Sequence, residues 1–562
     1  MTRVQDPSFS AADQDQAWER LPEEGCDLLV IGGGVTGAGI ARDAALRGLR
    51  TVLVEQGDFG GGTSGASSRL IHGGLRYLET GDIRLVFEAS AERRRLLGQA
   101  PHLVQPLPFL FPVFRDGDVG FRKLQAGMWL YDTLSLFRNI QRHRMLRRGS
   151  VLEMEPNLRQ EGLRGAARYF DAAVDDARLA LSTVRAAAEA GASLFSRTRV
   201  TGFALGDAGV AGVEVSRHTG DRRTLHARAV VNATGPWLDR LRMMASPGIS
   251  PRLRPTKGVH VVVDRERVGN RHAIIFTSPV DGRVMFVLPW GDFTYIGTTD
   301  TDFGGDPGTA RADQADVDYL IASANGIYPD ASLTVGDVVS TWAGVRPLLA
   351  PADALRDGDV SESGTSREHI VWRDESGLYN IGGGKLTTYR IMAKDVVDVV
   401  VRDLPGERRR RLAPPATADA PLPGGYDRGW NALRDAVVRE ATALGIAEPS
   451  AELLARSYGS RAATLLDMVR ENPALATPIA PDRPFIRGQV VYAIRHEAAR
   501  TLEDVLRRRT HIFYELRDGG IAVAESVARE MAAVMLPVWD EDDIDREVAR
   551  YRRRVAETRG IQ

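Results

Sequence analysis

The chain has 562 residues, of which 43% are hydrophobic and 26% are charged, and its formal net charge is −1. This balance is typical of a large globular protein with more than two domains, and it provides no global field that would favour nucleic acid. The single cysteine, Cys26, excludes an intrachain disulfide bond, and the absence of a run of about 18 apolar residues predicts no spanning helix.

The first elements predicted along the chain form a β-α-β unit. Residues 1–25 are a polar leader without the apolar core of a signal peptide. Residues 26–31 are mostly apolar and predict a buried strand, and residues 35–47 predict an alanine-rich helix that ends at Gly48. A second strand follows over residues 51–55. This order is that of a mononucleotide-binding unit.

The remaining elements predict a mixed fold with a helical end. We expect helices over 84–100 and 175–194, and several antiparallel strands between 257 and 300. Residues 378–401 are typical of a strand, a glycine turn and a helix. A linker rich in proline, alanine and glycine covers residues 411–426, and a helical C-terminal domain is predicted for residues 427–562.

A G-x-G-x-x-G motif lies between the first strand and the first helix of the β-α-β unit. Gly32 makes the tight turn, Gly34 lets the backbone approach a pyrophosphate, and Gly37 permits close packing of the helix. The helix N-terminus favours an anion, and Glu55 stands where an acid accepts from adenosine ribose hydroxyls. A glycine turn without a ligand is the alternative. The acid disfavours NADP, so NAD and FAD both remain open.

Three distant features favour FAD over NAD. The strand-to-turn junctions NATGPW and GGGKLTT suit a discontinuous nucleotide domain, and TSGASS supplies hydroxyls for a pyrophosphate or a flavin edge. GGGKLTT precedes a helix whose N-terminus would stabilise negative charge on the reduced flavin, although a turn capped by Thr387 or Thr388 is the simpler interpretation. The residues predicted to hold the cofactor at these motifs are Thr63, Ser64, Ser67, Ser68, Gly235, Gly383, Lys385, Leu386 and Thr387.

Seven motifs occur in a fixed order: VIGGGVTGAGIARDAALRGL, TSGASSRLIHGGLRYLE, VDDARL, VNATGPW, IGTTD, GVRPL and GGGKLTTYR. In this order they resemble the FAD-dependent glycerol-3-phosphate dehydrogenases. The resemblance implies an α/β fold with a glutathione-reductase-like FAD domain, an inserted antiparallel-sheet substrate domain and a helical C-terminal domain. The FAD domain would use residues 26–75, 165–255 and 370–400, and the substrate domain 76–165 and 255–370.

The family resemblance also implies an activity, which is oxidation of sn-glycerol 3-phosphate to dihydroxyacetone phosphate. The hydride would pass to FAD and the electrons to a quinone, with no metal and no nucleic acid involved. A glycerol-3-phosphate oxidase that uses O₂ is one alternative, and a flavin-bearing interaction protein that does not turn over is another. The enzyme would be cytoplasmic and peripheral on the inner face of the membrane, with a homodimer as the candidate oligomer.

The resemblance assigns roles to five further positions. Arg76 and Tyr77 match the residues on the phosphate side, since arginine offers a fork of donors to a phosphate dianion. Arg346 matches an arginine near the substrate hydroxyls, and His72 and Lys385 match residues at the reacting centre. A histidine with a pKa of about 6.5 accepts a proton at neutral pH, so His72 is the predicted base, whereas an arginine stays protonated.

His260, on a strand, is a predicted substrate-binding residue, with a satisfied core histidine as the alternative. Residues 119–148 combine aromatic and apolar side chains with seven basic residues, many of them three or four positions apart. This pattern predicts an amphipathic helix that lies on an anionic membrane surface. The alternative is that the apolar residues pack inward and leave the arginines in water.

Overall fold

The computed structural model describes residues 6–21, 23–74, 82–117, 119–135, 139–207, 209–350, 368–425 and 429–559. Its strands are β1 Cys26–Ile31, β2 Thr51–Val54, β3 Leu70–Ile71, β4 Val104–Phe114, β5 Arg144–Arg147, β6 Leu163–Val174, β7 Ser193–Phe195, β8 Thr198–Gly206, β9 Gly209–Arg217, β10 Arg222–Asn232, β11 Leu253–Asp264, β12 Ala273–Thr277, β13 Val284–Trp290, β14 Phe293–Gly297, β15 Thr301–Asp302, β16 Val338–Leu349, β17 His369–Arg373 and β18 Tyr379–Gly383.

The helices of the described residues are α1 Ala11–Glu19, α2 Val35–Leu46, α3 Ile83–Gln99, α4 Phe121–Leu134, α5 Arg148–Met154, α6 Asp176–Glu189, α7 Leu238–Ala245, α8 Arg265–Val268, α9 Gln314–Ile327, α10 Tyr389–Asp403, α11 Gly406–Arg409, α12 Trp430–Ala443, α13 Glu448–Tyr458, α14 Ala462–Glu471, α15 Gly488–His496, α16 Ile512–Glu515, α17 Ile521–Ala532 and α18 Glu541–Arg559. A π-helix covers Asp504–Arg509. None of the described helices is long and apolar enough to cross a membrane.

The first sheet is built around the predicted β-α-β unit. Its strands lie in the order β17-β18-β10-β1-β2-β7, and the hairpin β8–β9 joins the sheet through β10. Along this path the parallel pairs are β18–β10, β10–β1, β1–β2 and β2–β7. The pair β17–β18 is antiparallel. Strands β1 and β2 are buried on both faces, as a parallel sheet covered by helices requires. The predicted bounds of this unit are confirmed to within one residue.

The second sheet has the order β15-β11-β14-β13-β12-β4-β6-β3, with β16 beside β11 and β5 beside β6. All its pairs are antiparallel except β12–β4, which is parallel. The predicted antiparallel substrate sheet is therefore present. β3 and residues 165–174 of β6 lie in segments predicted for the FAD domain, and both pair within this sheet. A sequence pattern shows that a strand exists but not which sheet it joins.

Both predicted connecting segments pack against the rest of the molecule. In the predicted polar leader, Phe9 and Trp18 are buried, and Asp6 pairs with Arg461 at 2.7 Å. In the predicted linker, the Leu422 amide donates to the Gln99 carbonyl at 3.0 Å. The leader therefore packs on the first sheet and reaches the C-terminal helices, and the linker packs on α3.

The basic and aromatic stretch 119–148 is not one helix, so this part of the prediction is wrong. Helix α4 ends at Leu134, and Arg144 lies on β5, which pairs with β6. The apolar side chains of Leu124, Met128 and Tyr131 are buried against the second sheet and α3. Phe137 and Arg138 lie outside the described residues. The buried apolar side chains of α4 therefore pack against the rest of the protein and are not available to a membrane.

Glu515, at the end of α16, is a buried carboxyl where the C-terminal helices meet the second sheet. Burial raises the pKa of this group to about 7, although His511, Arg483 and Arg69 act to lower it. The unfolded chain has a pKa of about 4.3 at this residue, so its stabilising contribution is complete below about pH 4 and is lost as the pH rises through about 7.

We expect Glu515→Gln to remove this pH dependence, because the amide mimics the protonated carboxyl. Between pH 5 and pH 8 the wild-type unfolding free energy should fall by up to about 3 kcal/mol more than that of the variant. Chemical unfolding at several pH values measures the difference. Glu525→Gln, at an exposed position on α17, is the control. Equal pH dependence in wild type and Glu515→Gln would show that Glu515 is ionised in the folded protein.

Candidate functional site

The glycine turn after β1 has the geometry that a dinucleotide needs. Gly32 has a φ of +108°, and a Cβ on it would lie 2.6 Å from the Ala233 carbonyl oxygen. A Cβ on Gly37 would lie 1.9 Å from the Gly32 carbonyl oxygen, so this glycine lets α2 approach the turn. Gly34 precedes the first helical residue and has no side chain to cap α2. The tight turn at Gly32 and the close helix packing at Gly37 agree with the motif, and the approach of a pyrophosphate to Gly34 stays a prediction.

Glu55 directly follows β2 and is partly buried. Its carboxylate accepts from the Gly33 amide and from the Gly57 amide, both at 2.7 Å. Burial raises the pKa of Glu55, while these two amides oppose that change. The backbone thus holds the carboxylate at the edge of the glycine turn, where the ribose hydroxyls were expected.

The hydroxyls of TSGASS have protein partners. Thr63 donates to the Val345 carbonyl at 2.6 Å, and Ser64 accepts from the Val35 amide at 2.9 Å. Ser67 donates to Asp176 at 2.7 Å, and Ser68 lies 2.9 Å from Nε2 of His260. These bonds hold the segment in place, and binding of a cofactor by the same hydroxyls stays a prediction.

The stretch IHGG is held from two sides. Its His72 amide donates to Oγ1 of Thr387 at 3.2 Å, and the Gly73 amide donates to Asp171 at 3.1 Å. A Cβ on Gly73 would lie 2.2 Å from the Tyr131 hydroxyl, and Gly74 has a φ of +76°. The absence of a side chain on Gly73 therefore makes room for Tyr131.

Arg346, on β16, is fixed by several acceptors. Its guanidinium pairs with Asp300 at 2.8 Å and donates to Thr298 at 3.0 Å. A Cβ on Gly258 would lie 2.4 Å from one guanidinium nitrogen, so the group lies against the backbone of β11. Strand pairing places Arg346 beside β11 because Thr256 faces it across the β11–β16 ladder.

His260 is buried in an aromatic cluster. Its ring stacks on Trp342 with a centroid distance of 4.8 Å and an interplanar angle of 16°. Burial, together with the charges of Arg346 and Arg69, holds the pKa of His260 well below its ordinary value, so the ring is neutral at pH 7. Its Nδ1 atom has no hydrogen-bond partner among the described residues.

One cavity of about 570 Å³ brings most of the predicted residues together. This volume is within the usual range for a cofactor or ligand site. Gly37 is not part of its lining, as expected of a packing glycine, and Arg76 and Tyr77 lie outside the described residues. The predicted residues that line the cavity are Gly32, Gly34, Glu55, Thr63, Ser64, Ser67, Ser68, His72, Gly235, His260, Arg346, Gly383, Lys385, Leu386 and Thr387.

Sequence reasoning missed two groups of lining residues. The apolar wall comes from the second sheet and includes Phe109, Tyr169 and Phe286, whose alternation resembles that of any half-buried strand. Glu503 and Arg508 come from a charged stretch of the C-terminal domain, for which no site residue was predicted. No local signal distinguishes these residues, because their partners are distant in the sequence. Lys257 is not among the lining residues and pairs with Asp313 and Asp316.

The cavity suits a dinucleotide that carries a redox-active ring. A helix N-terminus and a glycine turn favour the pyrophosphate, and Glu55 is an acceptor for ribose hydroxyls. Farther along the same lining lie His72, Arg346 and Lys385. The donor set therefore fits FAD and leaves titratable and cationic groups for a substrate.

Comparison with known proteins agrees with this geometry. Residues 27–398 match the family described as FAD dependent oxidoreductase, and residues 415–544 match the C-terminal domain of alpha-glycerophosphate oxidase. A Mycobacterium bovis protein named glycerol-3-phosphate dehydrogenase 2 is 40% identical over 553 residues, which are 98% of this chain and 91% of the relative. The chain belongs to the FAD-dependent glycerol-3-phosphate dehydrogenase family.

Two further members of the glycerol-3-phosphate dehydrogenase family extend the comparison. The aerobic glycerol-3-phosphate dehydrogenase of Staphylococcus haemolyticus is 36% identical, over 93% of this chain and 94% of the relative. The crystal structure of the Bacillus halodurans glycerol-3-phosphate dehydrogenase, complexed with FAD, superposes with a TM-score of 0.80 at 33% identity and covers 98% of both chains. The predicted family, fold class and FAD cofactor are confirmed.

Gly73→Ala tests the contact that holds the IHGG segment. The added Cβ collides with the Tyr131 hydroxyl, so we expect a loss of about 1–3 kcal/mol of stability or a displaced His72 with lower kcat/KM. Thermal unfolding and steady-state kinetics measure the two outcomes.

The double variant Gly73→Ala/Tyr131→Phe removes the nearest colliding atom and should regain part of the loss. Gly98→Ala is the matched control, because a Cβ on this α3 glycine meets nothing within 4 Å. A Gly73→Ala variant as stable and active as Gly98→Ala would show that the Tyr131 contact does not position the segment.

Proposed function

We propose that this chain oxidises sn-glycerol 3-phosphate to dihydroxyacetone phosphate and passes the electrons to a quinone. The observation that carries the proposal is that His72, His260, Arg346 and Lys385 line the same cavity as the dinucleotide turn. The 40% identity to a glycerol-3-phosphate dehydrogenase over nearly the whole chain supports the same substrate.

Each polar residue of the cavity has a task in this reaction. His72 accepts the proton of the C2 hydroxyl, and Arg346, held by Asp300, stabilises the negative charge that develops on that oxygen. Neutral His260 lines the same cavity and remains a predicted substrate-binding residue. When bound, FAD takes up the hydride from C2. Arg76 and Tyr77 remain the predicted ligands of the phosphate, and Lys385 supplies positive charge beside the flavin.

The electron acceptor separates the proposal from its alternative. The C-terminal match to alpha-glycerophosphate oxidase, over residues 415–544, is the observation in favour of an oxidase that uses O₂. The relatives favour a dehydrogenase, because those that are 35–40% identical over nearly the whole chain are named glycerol-3-phosphate dehydrogenases. Hydrogen peroxide yield during turnover in air distinguishes the two, because only the oxidase forms it stoichiometrically.

Anaerobic titration with glycerol 3-phosphate tests the substrate directly. We expect the oxidised flavin absorbance to bleach with one equivalent of substrate and to return on addition of a quinone. In His72→Asn, FAD should remain bound but bleach about 10²- to 10⁴-fold more slowly, as for loss of a general base.

His226→Asn is the control for this experiment, because His226 is exposed on β10 and is not part of the cavity lining. Reduction of His72→Asn at the wild-type rate would assign the proton to another group. Absence of bleaching in the wild-type protein would contradict the proposed substrate.

Peripheral docking on the inner face of the membrane is part of the proposal, and an apolar surface on α3 and α4 supports it. Ile83 and Phe87 on α3 are 50% and 48% exposed, and Trp129 and Leu130 on α4 are 51% and 43% exposed. Helices α3 and α4 contact each other, and large exposed apolar side chains are typical of interaction sites. The exposed arginines nearby in the sequence, Arg142, Arg144, Arg147 and Arg148, suit anionic lipid. Cytoplasmic location and a homodimer remain predictions.

Phe87→Ser/Trp129→Ser should weaken binding to anionic liposomes and lower quinone reduction, while activity with a water-soluble dye stays near wild type. Liposome binding should weaken because each substitution removes an aromatic side chain that would insert at the lipid interface. Co-sedimentation with liposomes at low and high salt measures it.

Leu205→Ser is the matched control, since Leu205 is 70% exposed at the end of β8, on the first sheet. Liposome binding that falls equally in the control, or not at all in the double variant, would place the docking surface elsewhere.

A further inference from the structure

The turn that follows β2 carries the predicted ribose-binding carboxylate. Glu55 accepts from the Gly57 amide at 2.7 Å, and the Gly57 carbonyl accepts from the Arg197 amide at 2.8 Å. Asp58 is the next residue of this turn, and its side chain is buried. The position of the Glu55 carboxylate therefore depends on whatever holds Gly57 and Asp58.

Two arginines of the C-terminal domain hold Asp58. Nε of Arg508 donates to one Asp58 oxygen at 2.5 Å, and Nη2 of Arg509 donates to the other at 2.9 Å. All three side chains are buried, and the partners are about 450 residues apart in the sequence. Arg509 also donates to the Glu497 carbonyl at 2.6 Å. The contact is thus a dry, bidentate charge pairing between domains.

The arginines approach together because they lie in the π-helix. Consecutive residues in this wider helix both reach one carboxylate, and such turns are frequent at functional sites. Arg508 also donates to Asp504 at 2.5 Å, and Asp504 pairs with Arg197 at 2.8 Å. Arg197, Arg508 and Asp58 all line the cavity. The network therefore forms a wall of the cavity beside Glu55.

Removal of Arg508 and Arg509 would leave Asp58 as a buried carboxylate without these two partners, which is energetically unfavourable. Asp58 and Glu55 are neighbouring carboxylates, and the Asp58 charge acts to raise the pKa of Glu55. A buried carboxylate without a counter-ion protonates or moves into water, and either change distorts the turn. Arg508 and Arg509 supply the side-chain donors that satisfy the buried Asp58 carboxylate.

We infer that the C-terminal domain is part of the FAD site. Arg508 and Arg509 neutralise Asp58 and fix the turn that presents Glu55, and Arg508 closes the cavity at the adenosine end. They are positioning residues, because they act on the cofactor through Asp58 and Glu55. The inference concerns retention of FAD and is independent of the substrate and of the electron acceptor.

Release of FAD from the purified holoenzyme tests the inference. The rise in flavin fluorescence after dilution gives the dissociation rate, and ultrafiltration gives the Kd. We expect Arg508→Met to release FAD at least about tenfold faster than wild type, as truncation of one partner of a buried charge pair acts mainly on dissociation. Arg508→Lys keeps the charge but loses the fork, so its rate should lie between the two.

Glu497→Gln is the matched control for a general loosening of the domains. The buried pair Arg178–Glu497 joins α6 to the C-terminal domain at 2.6 Å, yet neither residue lines the cavity. We expect this variant to melt at a lower temperature but to release FAD at the wild-type rate.

Two results would overturn the inference. One is FAD release from Glu497→Gln that is as fast as from Arg508→Met, which would mean that any weakened domain contact frees the cofactor. The other is wild-type FAD release from the Arg508 variants. If Arg508→Met does not fold, Arg508→Lys alone decides, because wild-type release from it would show that the fork to Asp58 is not needed.

Discussion

The hydrogen bonds between residues 63–68 and the second sheet are the constraint on which the site depends. Thr63 donates to the Val345 carbonyl at 2.6 Å, and the indole of Trp342 donates to the Ser67 carbonyl at 3.0 Å. A Cβ on Gly344 would lie 2.5 Å from the Ala66 carbonyl oxygen, so the two backbones are in close contact. Because this segment also continues from β2, it joins the two sheets around one cavity.

The charged groups of the cavity are held by protein partners. Arg346 has Asp300, Asp58 has two arginines, and Asp171 has Arg93. Charges arranged in this way lose little freedom when a ligand binds, and they are more effective in a buried site than in water. The same pairing makes single substitutions costly, because the remaining partner is left buried and uncompensated. Preorganisation and stability therefore rest on the same contacts.

The C-terminal helices contact the two sheets more extensively than their charged composition predicts. The charged stretch around Arg508 is typical of a solvated helix, yet Arg508 and Arg509 are buried against the first sheet. Ser340 of β16 also donates to the Tyr514 carbonyl at 2.6 Å, so these helices contact both sheets. A long arginine side chain is charged at one end only, and a carboxylate in the right place allows the whole residue to be buried.

Elements whose signal is local were predictable from the sequence. The bounds of β1, α2 and β2, the roles of Gly32 and Gly37, and the position of Glu55 depend on residues within about one β-α-β unit. The motif order was sufficient to indicate the family, the FAD cofactor and many of the residues that line the cavity. Stretch 119–148 shows where such reasoning ends, since a basic pattern with helical spacing became a helix, a strand and a second helix.

The sequence by itself determined the nucleotide-binding unit, the presence of an antiparallel sheet, a helical C-terminal region and the family. Only the tertiary structure decided that Gly73 faces Tyr131, that the predicted leader and linker are packed, and that Asp58 meets Arg508. The physical reason is the distance along the sequence between the residues that determine each feature. Turn geometry and hydrophobic period are properties of neighbouring residues, whereas the partner of a buried charge is chosen by packing between segments hundreds of residues apart.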